Sequence, residues 1–312
     1  MPGFRWRTKA HLLAIASRTP GALALYRLHQ DLKAADLSDA DEMLGRSLDL
    51  LALVRDSGAD LRGRDCLEVG TGWCPWLPLL LRTAGVGRVV TIDVNPWLSL
   101  TTARSTTQAL LERADRVADA LAMSVHAVRA AVYEAQGATS LAQWLSALNI
   151  DYRCSDLLSA DLAATSFDAI LSSNVLEHVP PEGLRSIHQE SWRLLRQGGR
   201  VFHRFNPQDH FSTADRSITG ANFLQFSQDE WSWLGGSGLS YHNRLRCPQH
   251  RDLITGCGFR MVLERTRPDA RARDAIASGR LRVHTDFAGF DLAELTDDYM
   301  WAVAEKLTPA AP

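Results

Sequence analysis

The chain has 312 residues, enough for one large domain with additions or for two small ones, and 46% of them are hydrophobic, which supports a substantial core. Its 34 basic and 36 acidic side chains nearly cancel, so no net charge draws it toward nucleic acid, and no nucleic-acid partner is expected. Five cysteines, an odd number with no Cys-x-x-Cys pair, point to reduced thiols and a cytoplasmic setting.

The N-terminal stretch FRWRTKAHLLAIASRTPGALALY sets basic residues before an apolar run, as a secretion signal does. Arg18, Thr19 and Pro20 interrupt that run, and a polar helical pattern follows from Tyr26. It reads as a helical N-terminal extension over residues 1–60. No stretch is long enough to cross a bilayer, so stable membrane insertion is not expected. In SDADEMLGRSLDLLALVRDSG, Ser38 or Asp39 can cap a helix whose apolar positions recur at helical spacing through Val54.

Strand candidates follow at Asp65–Val69, Arg88–Ile92, Ile150–Cys154, Phe167–Ser172 and Arg200–Phe205. Helices are expected in most of the gaps, and such alternation predicts a parallel sheet covered on both faces. The gap between Asp93 and Ile150 exceeds a simple crossover. Its piece QALLERADRVADALAMSVHAVRAAVYEAQ reads as helix, a helical insertion over 103–148. It could serve as a lid, as a homodimer surface, or as an extra helix packed on the sheet. Residues 206–252 form a long irregular segment rich in aromatic, His, Asn and Arg residues, a texture more often functional than disordered. An apolar pattern resumes at Phe259–Leu263, and RTRPDARARD at 265–274 reads as a solvated helix or loop.

The chemistry gathers at strand ends. LEVGTG places Gly70 and Gly72 in a turn between a strand and a helix, where a bare backbone lets a ligand come close. A dinucleotide fingerprint needs a third Gly where Pro75 stands, and Glu68 would repel a phosphate. A cationic ligand without phosphate, such as S-adenosylmethionine, fits better. Asp93 ends the next strand, where an acid can hold ribose hydroxyls, and Asp156 follows the third, where an acid can meet an adenine amino group. Taken singly, Asp93 could cap a helix and Asp156 could make a turn.

These motifs resemble those of the class I S-adenosylmethionine-dependent methyltransferases. LEVGTG is similar to their glycine motif, TIDVN to their ribose-binding acid, CSDLL to their adenine-side acid, and FDAILSSNVLEHVPPEGL with LLRQGGRVFHRF to the strands that follow. The likeness covers residues 65–205 and departs at Cys74-Pro75 and in the long insertion. It implies an α/β fold: a doubly wound, Rossmann-like, seven-stranded and mostly parallel sheet with an antiparallel seventh strand near the C-terminus. The cofactor domain would span 61–265, with 266–312 completing the sheet. It further implies that Gly70, Thr71 and Gly72 face the methionine moiety, with Glu68 near its amino group. Asp93 and Val94 would hold the ribose, Asp156 and Leu157 the adenine, and Asn174 the floor below the sulfonium.

On the acceptor side, a hydroxyl needs a base to take its proton. His203 at a strand end and His210, oriented by Asp209, are the catalytic candidates, against readings as a core histidine and a loop histidine. His178, Arg204, Tyr241, Asn243, Arg244 and Arg246 are the candidate substrate-binding set. Asn243, Arg244 and Arg246 could instead tie the irregular segment to the sheet. Trp231 and Trp233 read as packing rather than a substrate platform. Cys247, His250 and Cys257 match no common zinc spacing, and no metal is expected.

GGSGL at 235–239 lacks the final Gly of a serine-hydrolase elbow, and no Walker loop is present. SSNVLE is not the aromatic tetrad of nucleic-acid methylation. The expected function is in-line methyl transfer from S-adenosylmethionine, leaving S-adenosylhomocysteine, to an O, N or S atom of a small-molecule acceptor in small-molecule biosynthesis. The alternative is a non-catalytic S-adenosylmethionine binder with a regulatory or structural role.

Overall fold

Short strands with apolar residues buried at the centre make the sheet, and its two edge strands are only partly buried. In the computed structural model, which describes residues 4–17, 19, 21, 39–235 and 241–307, seven strands form a single sheet in the order β3-β2-β1-β4-β5-β7-β6. They are β1 (Asp65–Val69), β2 (Arg88–Asp93), β3 (Ile150–Cys154), β4 (Phe167–Ser173), β5 (Leu195–Phe205), β6 (Phe259–Pro268) and β7 (Asp297–Lys306). The first five are mutually parallel, and β7 runs antiparallel between β5 and β6. This is the expected fold class. Strand order reverses between β1 and β4, and the carboxyl ends flanking that reversal open a crevice where open α/β sheets bind ligands.

Helices cover both faces. Along α2 (Ala40–Asp56), Ala40, Leu44, Ser47, Leu50, Leu53 and Val54 are buried at helical spacing, while Asp41 and Glu42 complement the dipole of its first turn. With α3 (Trp76–Thr83) it packs on one face. On the other lie α9 (Pro181–Leu194), with Pro181 at its first position, and α12 (Cys247–Thr255).

The insertion after β2 is not one long helix. It breaks into α4 (Leu100–Glu112), α5 (Ala114–Leu121), α6 (Val125–Ala131), α7 (Tyr133–Gln136) and α8 (Leu141–Ala147). Left-handed Ala122 (φ 52°) ends α5, and Ser124 and Ser140 cap the helices that follow. Leu110, Val117, Val128, Val132 and Trp144 join the same core as α2 and α3, and Trp144 Nε1 donates to Thr107 Oγ1 at 2.9 Å. The insertion is thus an added layer fused to the sheet.

A separate aromatic core lies beyond the sheet. Trp6 of α1 (Phe4–Ala16) packs on Phe211 of α10 (Phe211–Ala214) at 5.7 Å and on Phe226 at 5.9 Å, beside Trp231 of α11 (Gln228–Gly235). Trp231 is a packing residue here, while Trp233 is 72% exposed. The expected helix from Tyr26 onward, the cap at Ser38 and most of GGSGL lie outside the described residues.

Two local expectations change. RTRPDARARD is half strand: Arg265–Pro268 end β6, and Asp269 then caps α13 (Ala270–Ala277) by accepting the Arg271 N–H at 2.9 Å. The expected domain boundary at 265 therefore falls inside β6. Strand β5 also starts earlier than Arg200, because Leu195 already pairs with Phe167. Among the described residues no helix is long and apolar enough to cross a membrane.

Candidate functional site

The crevice is built on the turn after β1. Gly70 (φ 86°) and Gly72 (φ 67°) both take the left-handed conformation that glycine adopts without penalty. A Cβ on Gly70 would stand 2.3 Å from Val175 Cγ2, so the turn closes against the loop after β4. A Cβ on Gly72 would meet nothing within 4 Å, so that backbone faces open space. Asp93 locks the turn: its carboxylate accepts the Gly72 N–H at 2.8 Å and the Asn95 N–H at 2.9 Å. Burial raises the Asp93 pKa, against those two hydrogen bonds. The loops after β1 and β2 are further joined by Trp73 and Trp97, stacked at 4.1 Å.

Glu68 is 3% exposed and lies beneath the turn, accepting a hydrogen bond from Thr91, whose hydroxyl also meets that of Thr71. Burial pushes its carboxyl up to about 8, while the Thr91 bond acts the other way. Val94 is 65% exposed at the rim. Asp156 is exposed and caps the short turn Leu157–Ser159 through the Leu158 N–H at 2.8 Å, with Leu157 buried beside it. Asn174 sits at the end of β4 with a left-handed φ of 57°. Its Nδ2 donates to Glu177 Oε1 at 3.1 Å and to Tyr299 Oη at 3.2 Å, and its Oδ1 accepts from Arg204.

The acceptor side is rearranged relative to expectation. His203 does not end a strand, since β5 continues to Phe205. Strand parity turns its side chain to the face of Val201 and Phe205, under α9 and α12. It is 1% exposed, its Nδ1 meets Ser172 Oγ at 2.8 Å, and it packs on His188 at 5.4 Å. This is the core-histidine placement. Arg204, one residue on, points to the opposite face, where its Nε donates to Asp49 Oδ2 at 2.9 Å.

The polar segment after β5 spends its donors on backbone. Asn243 Nδ2 reaches Leu176 O at 2.7 Å and Val179 O at 2.9 Å. Arg244 donates to Phe223 O at 3.1 Å, to Phe226 O, and to Gln228 Oε1 at 2.8 Å. Arg246, 1% exposed, reaches Glu294 O at 3.0 Å and also Pro207 O and Asp297 O. Asn243, Arg244 and Arg246 thus tie the segment to the sheet. Asp209, expected to orient His210, instead accepts the Phe211 N–H and Asn222 Nδ2 at 2.8 and 2.7 Å. Burial pushes its carboxyl up to about 7.

Near the crevice remain His178, His210 and, unforeseen in the sequence, Glu177 and His242. His210 lies 4.9 Å from the His178 ring and 5.0 Å from His242, stacked on the latter. Its Nε2 meets Asn206 Oδ1 at 2.8 Å, and burial holds its pKa well below the usual histidine range. Tyr241 contributes its carbonyl, which faces His178 Nδ1 at 3.0 Å. Glu177 stands beside His178 in the sequence, but of its carboxylate's two hydrogen-bond partners only Asn174 is near it in the chain, while Asn206 lies beyond β5.

Residues 105–203, from α4 to β5, match a family model described as a methyltransferase domain. No curated protein matches the chain. Among solved structures it is similar to an S-adenosylmethionine-dependent methyltransferase from Methanosarcina mazei, at 15% identity over 81% of this chain and 97% of that one, with a TM-score of 0.46. It is similar to another from Mesorhizobium loti, at 17% identity over 81% and 95%, TM-score 0.45. A third is phosphoethanolamine N-methyltransferase 2 of Haemonchus contortus, at 16% identity over 83% and 52%, TM-score 0.43. The matched residues carry Asp156 and the loop after β4, the glycine turn lies before them at the end of β1, and residues 105–203 are similar to a methyltransferase domain.

Proposed function

We propose that the chain methylates a small polar molecule held between the glycine turn and the His178–His210–His242 wall. The observation that carries this reading is the glycine turn, open at Gly72 and pinned there by Asp93 where strand order reverses. S-adenosylmethionine supplies an electrophilic methyl on a sulfonium, displaced in line by the acceptor atom.

The chain's own groups then bind and align. The free lone pairs of the Asp93 carboxylate accept ribose hydroxyls while its other pairs keep the turn in place. Leu157 forms an apolar wall for the adenine, with Asp156 at its edge. Asn174, held by Arg204 and Glu177, fixes the floor beside the reacting centre. Holding two reactants in line accounts for most of the rate in such a displacement. The near-neutral composition and the histidine wall favour a small polar molecule, and a cytoplasmic enzyme of small-molecule biosynthesis fits the unpaired thiols.

Calorimetric titration with S-adenosylmethionine, S-adenosylhomocysteine and NAD tests the reading. Binding of the first two and not of NAD is expected. Binding of NAD alone, or of none, would overturn it.

A further inference from the structure

We propose that Glu177, His178 and His210 hold a divalent transition-metal cation at the acceptor end of the crevice. This rests on the methyl-transfer reading and names its acceptor as a hydroxyl compound. One ligand atom from each of the three residues lies within 4.8 Å of the others. Closure of that group by an ångström or so gives the spacing of about 3.3 Å expected between ligands roughly 2.0 Å from a tetrahedral ion.

Each residue is prepared for the task by a different contact. Glu177 is 1% exposed, and its Oε1 takes Asn174 Nδ2 at 3.1 Å and the Asn206 N–H at 3.4 Å. Its Oε2 is buried and has no partner among the described residues. A buried carboxylate oxygen left unpaired is costly, and a cation supplies what is missing. His178 Nδ1 faces the Tyr241 carbonyl, which can only accept, so Nδ1 carries the proton and Nε2 keeps its lone pair. His210 Nε2 faces Asn206 Oδ1, so there the proton is on Nε2 and Nδ1 keeps the lone pair. Metal-bound histidines are fixed in this way, with one ring nitrogen donating to a carbonyl and the other free to bind. Two imidazoles and one carboxylate suit zinc, iron or cobalt better than magnesium or calcium.

The position fits the reaction. Val175, two residues before Glu177, touches Gly70 of the cofactor turn, and Asn174, next to Val175 in the chain, donates to Glu177. Three protein ligands leave coordination positions for an acceptor oxygen. A hydroxyl bound there is acidified, and its proton passes to solvent water. The oxygen then forms its bond to the methyl carbon as the carbon–sulfur bond breaks, and that electron pair stays on sulfur. His203, expected as a base, is not needed.

Titration of the chelator-treated full chain with Co2+, followed by calorimetry and visible absorption, tests the site. One Co2+ per chain is expected, with a ligand-field band. Glu177→Gln and the exposed-site variant His178→Ala should each weaken uptake at least about tenfold. Absence of Co2+ uptake by a chain that binds S-adenosylmethionine overturns the cation site alone, as does equal uptake by wild type and both variants. Co2+ uptake without S-adenosylmethionine binding sinks the methyl-transfer reading and, with it, the hydroxyl acceptor, but leaves the cation.

Discussion

Acidification will destabilise the chain through three imidazoles buried between β5 and the helices α9 and α12. His188 and His203 meet edge to face at 5.4 Å, and His250 lies on Phe205 at 4.4 Å. Neither ring nitrogen of His188 or His250 has a partner among the described residues, and His203 lacks one on Nε2. Burial pushes His188 down to about 4 and His250 to about 3, the latter also repelled by His188 and Arg246. Burial likewise holds His203 well below its ordinary range. In the unfolded chain a histidine titrates near about 6.5. The native state therefore binds fewer protons, and the stability these groups give is complete above that value and is lost as pH falls toward the folded ones. Linkage at about pH 5 gives a loss of roughly 2 kcal/mol for each of His188 and His250 relative to about pH 8. Urea unfolding at those two values, on wild type, His188→Leu and His250→Leu, measures it. Each variant should lose about 2 kcal/mol less than wild type on acidification, the other titrating groups cancelling in the difference. Equal losses in all three proteins would refute the reasoning.

Asp93→Ala should weaken S-adenosylmethionine binding by about 1–3 kcal/mol, the scale of a lost buried charged partner, and calorimetry reads it directly. Gly70→Ala forces a side chain into Val175 and a left-handed φ on alanine, so a stability loss of roughly 2–4 kcal/mol by urea unfolding is expected, with S-adenosylmethionine binding abolished. Arg246→Met strips three backbone carbonyls of their donor, and thermal unfolding should fall by the equivalent of about 3 kcal/mol or more. Hydrogen exchange of α4 to α8 should be as slow without S-adenosylmethionine as with it, because that layer shares the main core; faster exchange in its absence would restore the lid.

The strands and the glycine turn were legible because their signals are local: a short buried apolar stretch such as Ala169, Ile170 and Leu171, or two glycines beside an acid. The seventh strand's direction came through the family resemblance. The acceptor side was not legible, because its side chains are used at long range. Arg246 serves carbonyls at 207, 294 and 297, and Asn243 serves those at 176 and 179. No spacing rule encodes such pairs. His203 was misplaced for a simpler reason: with the strand ending at Phe205, parity sends it to the helical face. Glu177 went unnoticed because a carboxylate in a loop announces itself only when burial leaves an oxygen idle.

The position of β7 has a consequence for synthesis. It follows β6 in the chain yet lies inside it, bonded to β5 on one side and β6 on the other. When β6 leaves the ribosome it has no place to dock, and the edge of β5 stays bare until residues 297–306 appear. At about 5–20 residues per second, the stretch from β5 to β7 takes several to some twenty seconds to make. Throughout that interval Val201 and Phe205 border an unpaired strand edge, so a stall between the two strands would leave an aggregation-prone nascent chain.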